Sequence, residues 1–106
     1  MELRQLRYFV RVVEVGSISR AALDLNLVQS ALSQQISRLE GELSTRLLQR
    51  TTRKVTMTQD GLAFYERSRD MLAELERRAE EYAIQADALA WALTREAMLG
   101  EFFGDF

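Results

Sequence analysis

A long apolar repeat in the second half of the chain constrains the fold more than any other feature. Apolar side chains recur there at steps of three and four residues, and the 106-residue chain contains no proline to interrupt them. This spacing indicates about four heptads of a helix that packs along a partner helix. We predict one helix from Gln59 to about Met98, roughly 60 Å long at 1.5 Å per residue. The predicted pairing seam consists of Tyr65, Leu72, Leu75, Ala79, Tyr82, Ala86, Leu89 and Leu93.

The residues that precede this helix are too few to cover its whole length. We therefore expect the uncovered part to pair with a second copy of the chain. The repeat fails beyond Leu93, because the next seam positions are Glu96 and Gly100. The tail after it contains three phenylalanines, and its role stays open. The predicted divisions are a head at 1–58, a linker and dimerisation helix at 59–96, and a tail at 97–106.

The first segment of the chain has the pattern of a helix with one apolar face. Apolar residues recur at steps of three and four from Leu3 onward, and the arginines lie largely off that face. We predict a helix over residues 1–15 that ends at Gly16, a residue suited to a helix C-terminus. Ser17 and Ser19 are then candidate N-caps for a short helix from about residue 20 to 25.

A further helix follows this short one and completes a helix-turn-helix pattern. Asn26 tolerates the left-handed backbone that a tight turn can require. Apolar residues then repeat from Leu32 to Leu43, which predicts a helix from about residue 30 to 43. Two helices joined by a turn of about four residues have the spacing of a helix-turn-helix. The outward face of the second helix is polar and carries Gln29, Ser30, Ser33, Gln34, Ser37 and Arg38.

Residues 45–58 have the composition of a small β-hairpin. We predict two short strands, at 47–50 and 55–57, although no Asn-Gly or Asp-Gly pair marks the turn between them. The tip would carry Arg53 and Lys54 together. Thr58 is a good N-cap for the long helix, with Asp60 in its first turn, where the helix dipole favours a carboxylate.

The charge of the chain is divided between two halves of opposite sign. Residues 1–58 contain nine Lys and Arg against five Asp and Glu, or +4, whereas the remaining residues contain five against eleven, or −6. These values account for the net charge of −2. A basic helix-turn-helix with a basic hairpin is an electrostatic footprint for a polyanion such as nucleic acid.

The composition also argues against several other functions. The chain has no His and no Cys, so it lacks the usual zinc ligands, thiol nucleophiles and general base. We therefore expect no catalytic activity, no metal and no cofactor. No apolar run approaches about 18 residues, so we expect no membrane span.

Residues 2–65 resemble the N-terminal domain of the LysR-type transcriptional regulators of bacteria. The resemblance implies a mainly α fold, in which three helices and a small β-hairpin form a winged helix-turn-helix, followed by a long linker and dimerisation helix. It also implies that the recognition helix, 29–43, enters the major groove and that the wing, 51–55, reaches the adjacent minor groove. The matching strings are LRQLRYF at 3–9, GSISRAAL at 16–23, VQSALSQQISRLE at 28–40 and LLQRTTRKVTMTQDG at 47–61.

The resemblance also implies which residues contact DNA. The start of the recognition helix faces bases and phosphates, and glutamine can pair with adenine while alanine can meet a thymine methyl group. Most members of the family have proline where this chain has Ser30, so its base preference should differ. The candidate DNA-binding residues are Ser17, Arg20, Gln29, Ser30, Ala31, Ser33, Gln34, Ser37, Arg38, Arg50, Arg53 and Lys54.

The partners implied by the resemblance are double-stranded DNA with an interrupted dyad and a second copy of the chain. A higher oligomer and RNA polymerase are further partners of a full-length protein, in the bacterial cytoplasm at the nucleoid. Family members continue into an effector-binding domain, so we expect ligand sensing to lie outside these 106 residues. The alternative is a helical protein–protein interaction module with no DNA target, in which the long acidic helix is the working part.

Overall fold

The computed structural model describes the backbone of residues 1–51 and 54–103 and the side chains of residues 1–51 and 54–83. It is mainly helical, with one two-stranded antiparallel sheet, and the predicted element order is confirmed. The elements are α1 (Leu3–Val15), α2 (Ile18–Asp24), α3 (Gln29–Leu43), β1 (Leu48–Arg50), β2 (Val55–Met57) and α4 (Gln59–Phe103).

Residues 1–72 form one unit with a single apolar core. The apolar faces of the first three helices meet there, and the side chain of Phe9 on α1 contacts Phe64 on α4 edge to face, with ring centroids 5.5 Å apart. Such an arrangement places the positive edge of one ring against the negative face of the other. The largest fully buried side chains are Phe9, Val12, Leu32, Ile36, Leu39 and Leu47.

The ends of α1 and α2 follow from local caps. The N–H of Gly16 donates to the carbonyl of Val12 at 2.8 Å, with Gly16 at a left-handed φ of 75°, so the predicted end of α1 is confirmed. The start of α2 differs from the prediction by about two residues. Ser17, rather than Ser19, caps the helix by accepting a hydrogen bond from the N–H of Arg20, and α2 therefore begins at Ile18.

The turn between α2 and α3 has the backbone that its sequence predicts. Asn26 adopts a φ of 56°, the left-handed region that asparagine tolerates better than most residues. The next N–H, that of Leu27, donates to the carbonyl of Ala22 at 2.8 Å and closes the turn. As a result α3 starts immediately beyond it, at Gln29.

The hairpin pairs Leu48 with Met57, and Arg50 with Val55, in antiparallel register. Its turn is closed by Thr51, whose N–H donates to the carbonyl of Lys54 at 3.1 Å and whose hydroxyl accepts from the N–H of Lys54 at 3.2 Å. This side-chain closure replaces the glycine turn that the sequence lacks.

The structure corrects the predicted pairing seam at Leu72. Its side chain is only 7% exposed and belongs to the core of residues 1–72, with Tyr65 half-buried against the same core. These two seam positions are therefore covered by the chain's own head. The first turns of α4, up to Leu72, therefore belong to the same compact unit as the head. The seven-residue repeat alone does not tell whether a seam position faces its own chain or a partner.

The helix α4 continues through residue 103, beyond the predicted end near Met98. Gly100 lies inside it, because one helical glycine costs only about 1 kcal/mol relative to alanine and does not by itself end a helix. The predicted tail therefore begins as helix. No helix in the described ranges is long and apolar enough to span a membrane.

In the second unit, residues 73–106, the described side chains are exposed. Leu75 is 40% exposed and Tyr82 is 62% exposed. The side chains of Ala86, Leu89 and Leu93 lie outside the described part. The guanidinium groups of Arg77 and Arg78 donate hydrogen bonds to the carboxylate of Glu74 and lower its pKa to about 2.

Candidate nucleic-acid interface

The helix α3 separates an apolar inner face from a polar outer face. Leu32, Ile36 and Leu39 are fully buried, which turns the intervening residues outward. The predicted contact residues on α3 are therefore accessible. Gln29, Ser30, Gln34, Ser37 and Arg38 are exposed, and Ala31 and Ser33 are half-buried.

A cleft of about 240 Å³ lies where the starts of α2 and α3 meet the hairpin. It brings together five predicted DNA-binding residues, namely Ser17, Gln29, Ser33, Arg50 and Lys54. The other candidates among the described residues, Arg20, Ser30, Ala31, Gln34, Ser37 and Arg38, do not line it. Arg53 lies outside the described residues.

Four residues of the cleft are absent from the sequence-based set: Ile18, Ser19, Thr51 and Val55. The hydroxyl of Ser19 lies 3.1 Å from that of Ser17, so the two serines form one polar edge. The position of Thr51 beside Arg50 in the matched wing string was a usable signal. Val55 also lies in that string, beside Lys54, but an apolar residue in these elements, like Ile18, is ordinarily assigned to the core.

Glu40 on α3 holds the base of the hairpin. Its carboxylate accepts hydrogen bonds from the N–H of Leu47 at 2.8 Å and from the N–H of Leu48 at 3.3 Å. Both leucines are buried, so these N–H groups need a partner inside the protein. The strand β1 begins at Leu48, which pairs with Met57, one residue later than predicted.

Thr58 holds the other end of the hairpin and starts α4. Its hydroxyl donates to the carbonyl of Arg46 at 2.7 Å and accepts from the N–H of Gly61 at 2.9 Å, while its N–H donates to the carbonyl of Leu47 at 3.0 Å. Thr58 therefore acts as the predicted N-cap and also fixes the chain before β1.

A third contact joins the hairpin to the helix-turn-helix. The N–H of Val55 donates to the carbonyl of Gly16 at 3.4 Å, at the turn between α1 and α2. The hairpin is thus tied to α3 through Glu40, to α4 through Thr58 and to the start of α2 through Gly16. These contacts set the position of Arg50 and Lys54 relative to Gln29 and Ser33.

Two arginines of the head are engaged by carboxylates, whereas the described basic residues of the interface are not. Arg11 pairs with Asp24 and Glu14, and Arg4 pairs with Glu2. Within the described part of the chain, Arg20, Arg38, Arg50 and Lys54 form no ion pair. Their charges are therefore not offset by a direct carboxylate contact and are available to an anion.

Comparisons with known proteins agree with this geometry. The crystal structure of a BenM_DBD/catB site 1 DNA complex superposes with a TM-score of 0.78 at 42% identity, over 81% of this chain and 97% of that one. The winged helix-turn-helix architecture is therefore confirmed.

Two curated relatives are regulators by name. The nitrogen assimilation regulatory protein nac of Escherichia coli (strain K12) is 40% identical over 100 residues, which are 94% of this chain and 32% of that protein. The HTH-type transcriptional regulator BudR of Raoultella terrigena is 57% identical over 65 residues, 61% of this chain and 22% of that protein. The chain thus spans less than a third of the length of either relative.

The family assignment rests on the first half of the chain. Residues 3–62 match the family model of the bacterial regulatory helix-turn-helix proteins of the lysR family. This segment contains α1 to α3, the hairpin and the start of α4. The match covers more than half of the 106 residues, and the chain therefore belongs to the LysR family of bacterial regulatory helix-turn-helix proteins.

Proposed function

We propose that the chain is the sequence-specific, dimeric DNA-binding module of a bacterial transcription regulator. The observation that carries the proposal is the cleft, which joins the start of α3 to the hairpin and contains two cations without an ion-pair partner among the described residues. In this proposal α3 enters the major groove and the wing, 51–55, lies at the minor groove. Helices of this motif place their first residues against base edges.

In this proposal the exposed start of α3 recognises the bases. Gln29 can donate to N7 and accept from N6 of one adenine in the bidentate manner that distinguishes it from other bases. Ser33 lies one turn further along the same face of the helix and lines the same cleft. Ser30, Ala31 and Gln34 flank these two residues and complete the proposed reading surface.

Phosphate binding belongs to the basic residues around that surface. Lys54 and Arg50 line the cleft from the hairpin, and Arg20 and Arg38 are exposed on α2 and α3. We assign Arg53, Ser17 and Ser37 to the same role. Such contacts position a protein on the duplex without reading its sequence.

Dimerisation belongs in this proposal to α4 beyond the head. Leu75, Ala79 and Tyr82 are exposed at seam spacing, and Ala86, Leu89 and Leu93 continue the repeat. A second copy of the chain would cover them. Two heads would then read an interrupted dyad, because the two-fold symmetry of a dimer is mirrored in its operator. In a longer protein of the bacterial cytoplasm, RNA polymerase and a higher oligomer are the further partners we propose.

Selection of duplexes from a random pool by the purified chain tests the DNA-binding proposal. We expect enrichment of one interrupted dyad, and a dissociation constant that rises steeply with salt. Gln29→Ala should reduce discrimination between bases by about 1–3 kcal/mol, whereas Lys54→Ala should weaken all duplexes to a similar extent.

The same experiment identifies the alternative functions. If Gln29→Ala weakens binding to selected and to random duplexes by the same factor, base recognition by α3 is contradicted. A chain that enriches no duplex at any salt concentration, yet forms a helical complex with another protein, would be the interaction module.

A further inference from the structure

Val28 is an exposed apolar residue at the position where α3 begins. Its side chain is 70% exposed, and its carbonyl accepts the hydrogen bond from the N–H of Leu32 at 3.1 Å, which makes Val28 the N-cap. Valine has no oxygen with which to cap a free N–H of the first helical turn, and no side-chain hydrogen bond caps this helix. Serine, threonine, asparagine or aspartate would stabilise α3 more at this position.

Packing within the head does not explain this valine. The core cluster excludes Val28, although it includes Leu27 as a partly buried member. Between residues 4 and 61, the described ranges contain two exposed large apolar side chains, Leu23 and Val28. Leu23 is 77% exposed on α2, and neither Leu23 nor Val28 is itself a lining residue of the cleft. Val28 directly precedes Gln29, which does line the cleft.

We infer that the side chain of Val28 contacts the C5-methyl group of a thymine and sets base preference beside Gln29. The inference rests on the proposed function, in which the start of α3 enters the major groove. The thymine methyl is the apolar group that the major groove displays, and an apolar side chain recognises it by excluding water. A polar cap would stabilise the helix and lose this contact.

Replacement of single thymines by uracil in the selected duplex tests the contact between Val28 and the thymine methyl group. Uracil keeps the base pair and removes only the methyl group. For the unmodified chain, we expect one thymine position in each half-site at which uracil weakens binding about fourfold, the value of one buried methyl group. In Val28→Ala most of this uracil penalty should disappear, because the side chain that covers the methyl group is gone.

A second variant separates recognition from helix stability. Val28→Ser removes both methyl groups of the side chain and supplies the missing cap, so we expect a higher thermal midpoint together with a smaller uracil penalty. Leu23→Ala is the matched control, since it removes an equally exposed apolar side chain from α2 and should leave the uracil penalty unchanged.

The outcomes that overturn the inference are distinct from failure of the proposed function. An undiminished uracil penalty in both Val28 variants overturns it. Loss of the penalty in Ala31→Gly instead assigns the methyl contact to Ala31 and also overturns it. If no duplex is enriched from the pool, the proposed function fails, and the inference fails with it.

Discussion

Gly61 lies where α4 passes closest to the backbone of the hairpin base. A Cβ atom at this position would lie 1.9 Å from the carbonyl oxygen of Leu47, far inside any van der Waals contact. The same carbonyl accepts the hydrogen bond from the N–H of Thr58 and cannot move without loss of that bond. Glycine is therefore required here by the close approach of two backbone segments.

We predict that Gly61→Ala lowers the free energy of unfolding by about 1–3 kcal/mol or more, because the added methyl group overpacks the contact. Gly41→Ala on α3 is the matched control. No atom lies within 4 Å of a Cβ there, so this change should raise stability by about 0.5–1 kcal/mol. Urea denaturation of both variants measures the difference. Equal stability of the two would contradict the close approach at Gly61.

The outcome at single residues shows where sequence reasoning was sufficient. The conformational freedom of Gly16 and Asn26 predicts a helix end and a turn, and both residues have positive φ angles. The sequence does not indicate the role of Glu40, because its partners, the N–H groups of Leu47 and Leu48, become neighbours only in the folded chain. The roles of the individual DNA-binding residues stay predictions.

At the scale of elements, the Glu40 side chain fixes the hairpin to α3. Its carboxylate is the side chain on α3 that accepts from the backbone of the hairpin base. A hydrogen bond to a charged group is worth more than one between neutral groups, and both N–H groups belong to buried residues. The position of the wing relative to α3 therefore depends strongly on this carboxylate.

We predict that Glu40→Ala lowers the free energy of unfolding by about 1–3 kcal/mol, since two N–H groups lose their acceptor. Amide hydrogen exchange at Leu47 and Leu48 should accelerate more than exchange in α1. Glu14→Ala, which removes an exposed carboxylate from α1, is the control and should change stability by less than about 0.5 kcal/mol. Unchanged exchange at both leucines would refute the anchoring role.

Element boundaries show why the rest was not predictable. The start of α2 depended on which of two serines supplies the cap, and their sequence contexts are nearly equivalent. The end of α4 depended on whether Gly100 stops a helix, which its identity alone does not decide. The repeat on α4 correctly marked apolar positions, but burial of Leu72 by the head required the three-dimensional arrangement of residues 1–72.

At the scale of the whole molecule, the −2 net charge conceals a basic head and an acidic helix. Several acidic residues of α4 are engaged by arginines of the same helix, as at Glu74. In the proposed dimer, association of two acidic helices would therefore rely on their apolar seam rather than on attraction between opposite charges.

We predict that Leu75→Glu converts the proposed dimer to a monomer at micromolar concentration and weakens DNA binding at least about tenfold, because a carboxylate would enter the apolar seam. The head should stay folded, since Leu75 is 40% exposed and, unlike Leu72, is not part of the core of residues 1–72. Sedimentation equilibrium and duplex titration measure the two effects. The control, Ala73→Glu, adds the same charge outside the seam and should remain dimeric. A Leu75→Glu variant that also remains dimeric would contradict the assignment of Leu75 to the dimer interface.

The anchoring of the hairpin has a consequence for engineering. Its backbone contacts to the rest of the head lie at Gly16, Glu40 and Thr58, and its turn is closed by Thr51 and Lys54 through their own atoms. The exposed side chains of Arg50 and Lys54 take no part in these contacts and can therefore be exchanged without rebuilding the scaffold. In the proposed function, a library randomised at these two positions alone would vary the affinity for DNA while α3 keeps its position.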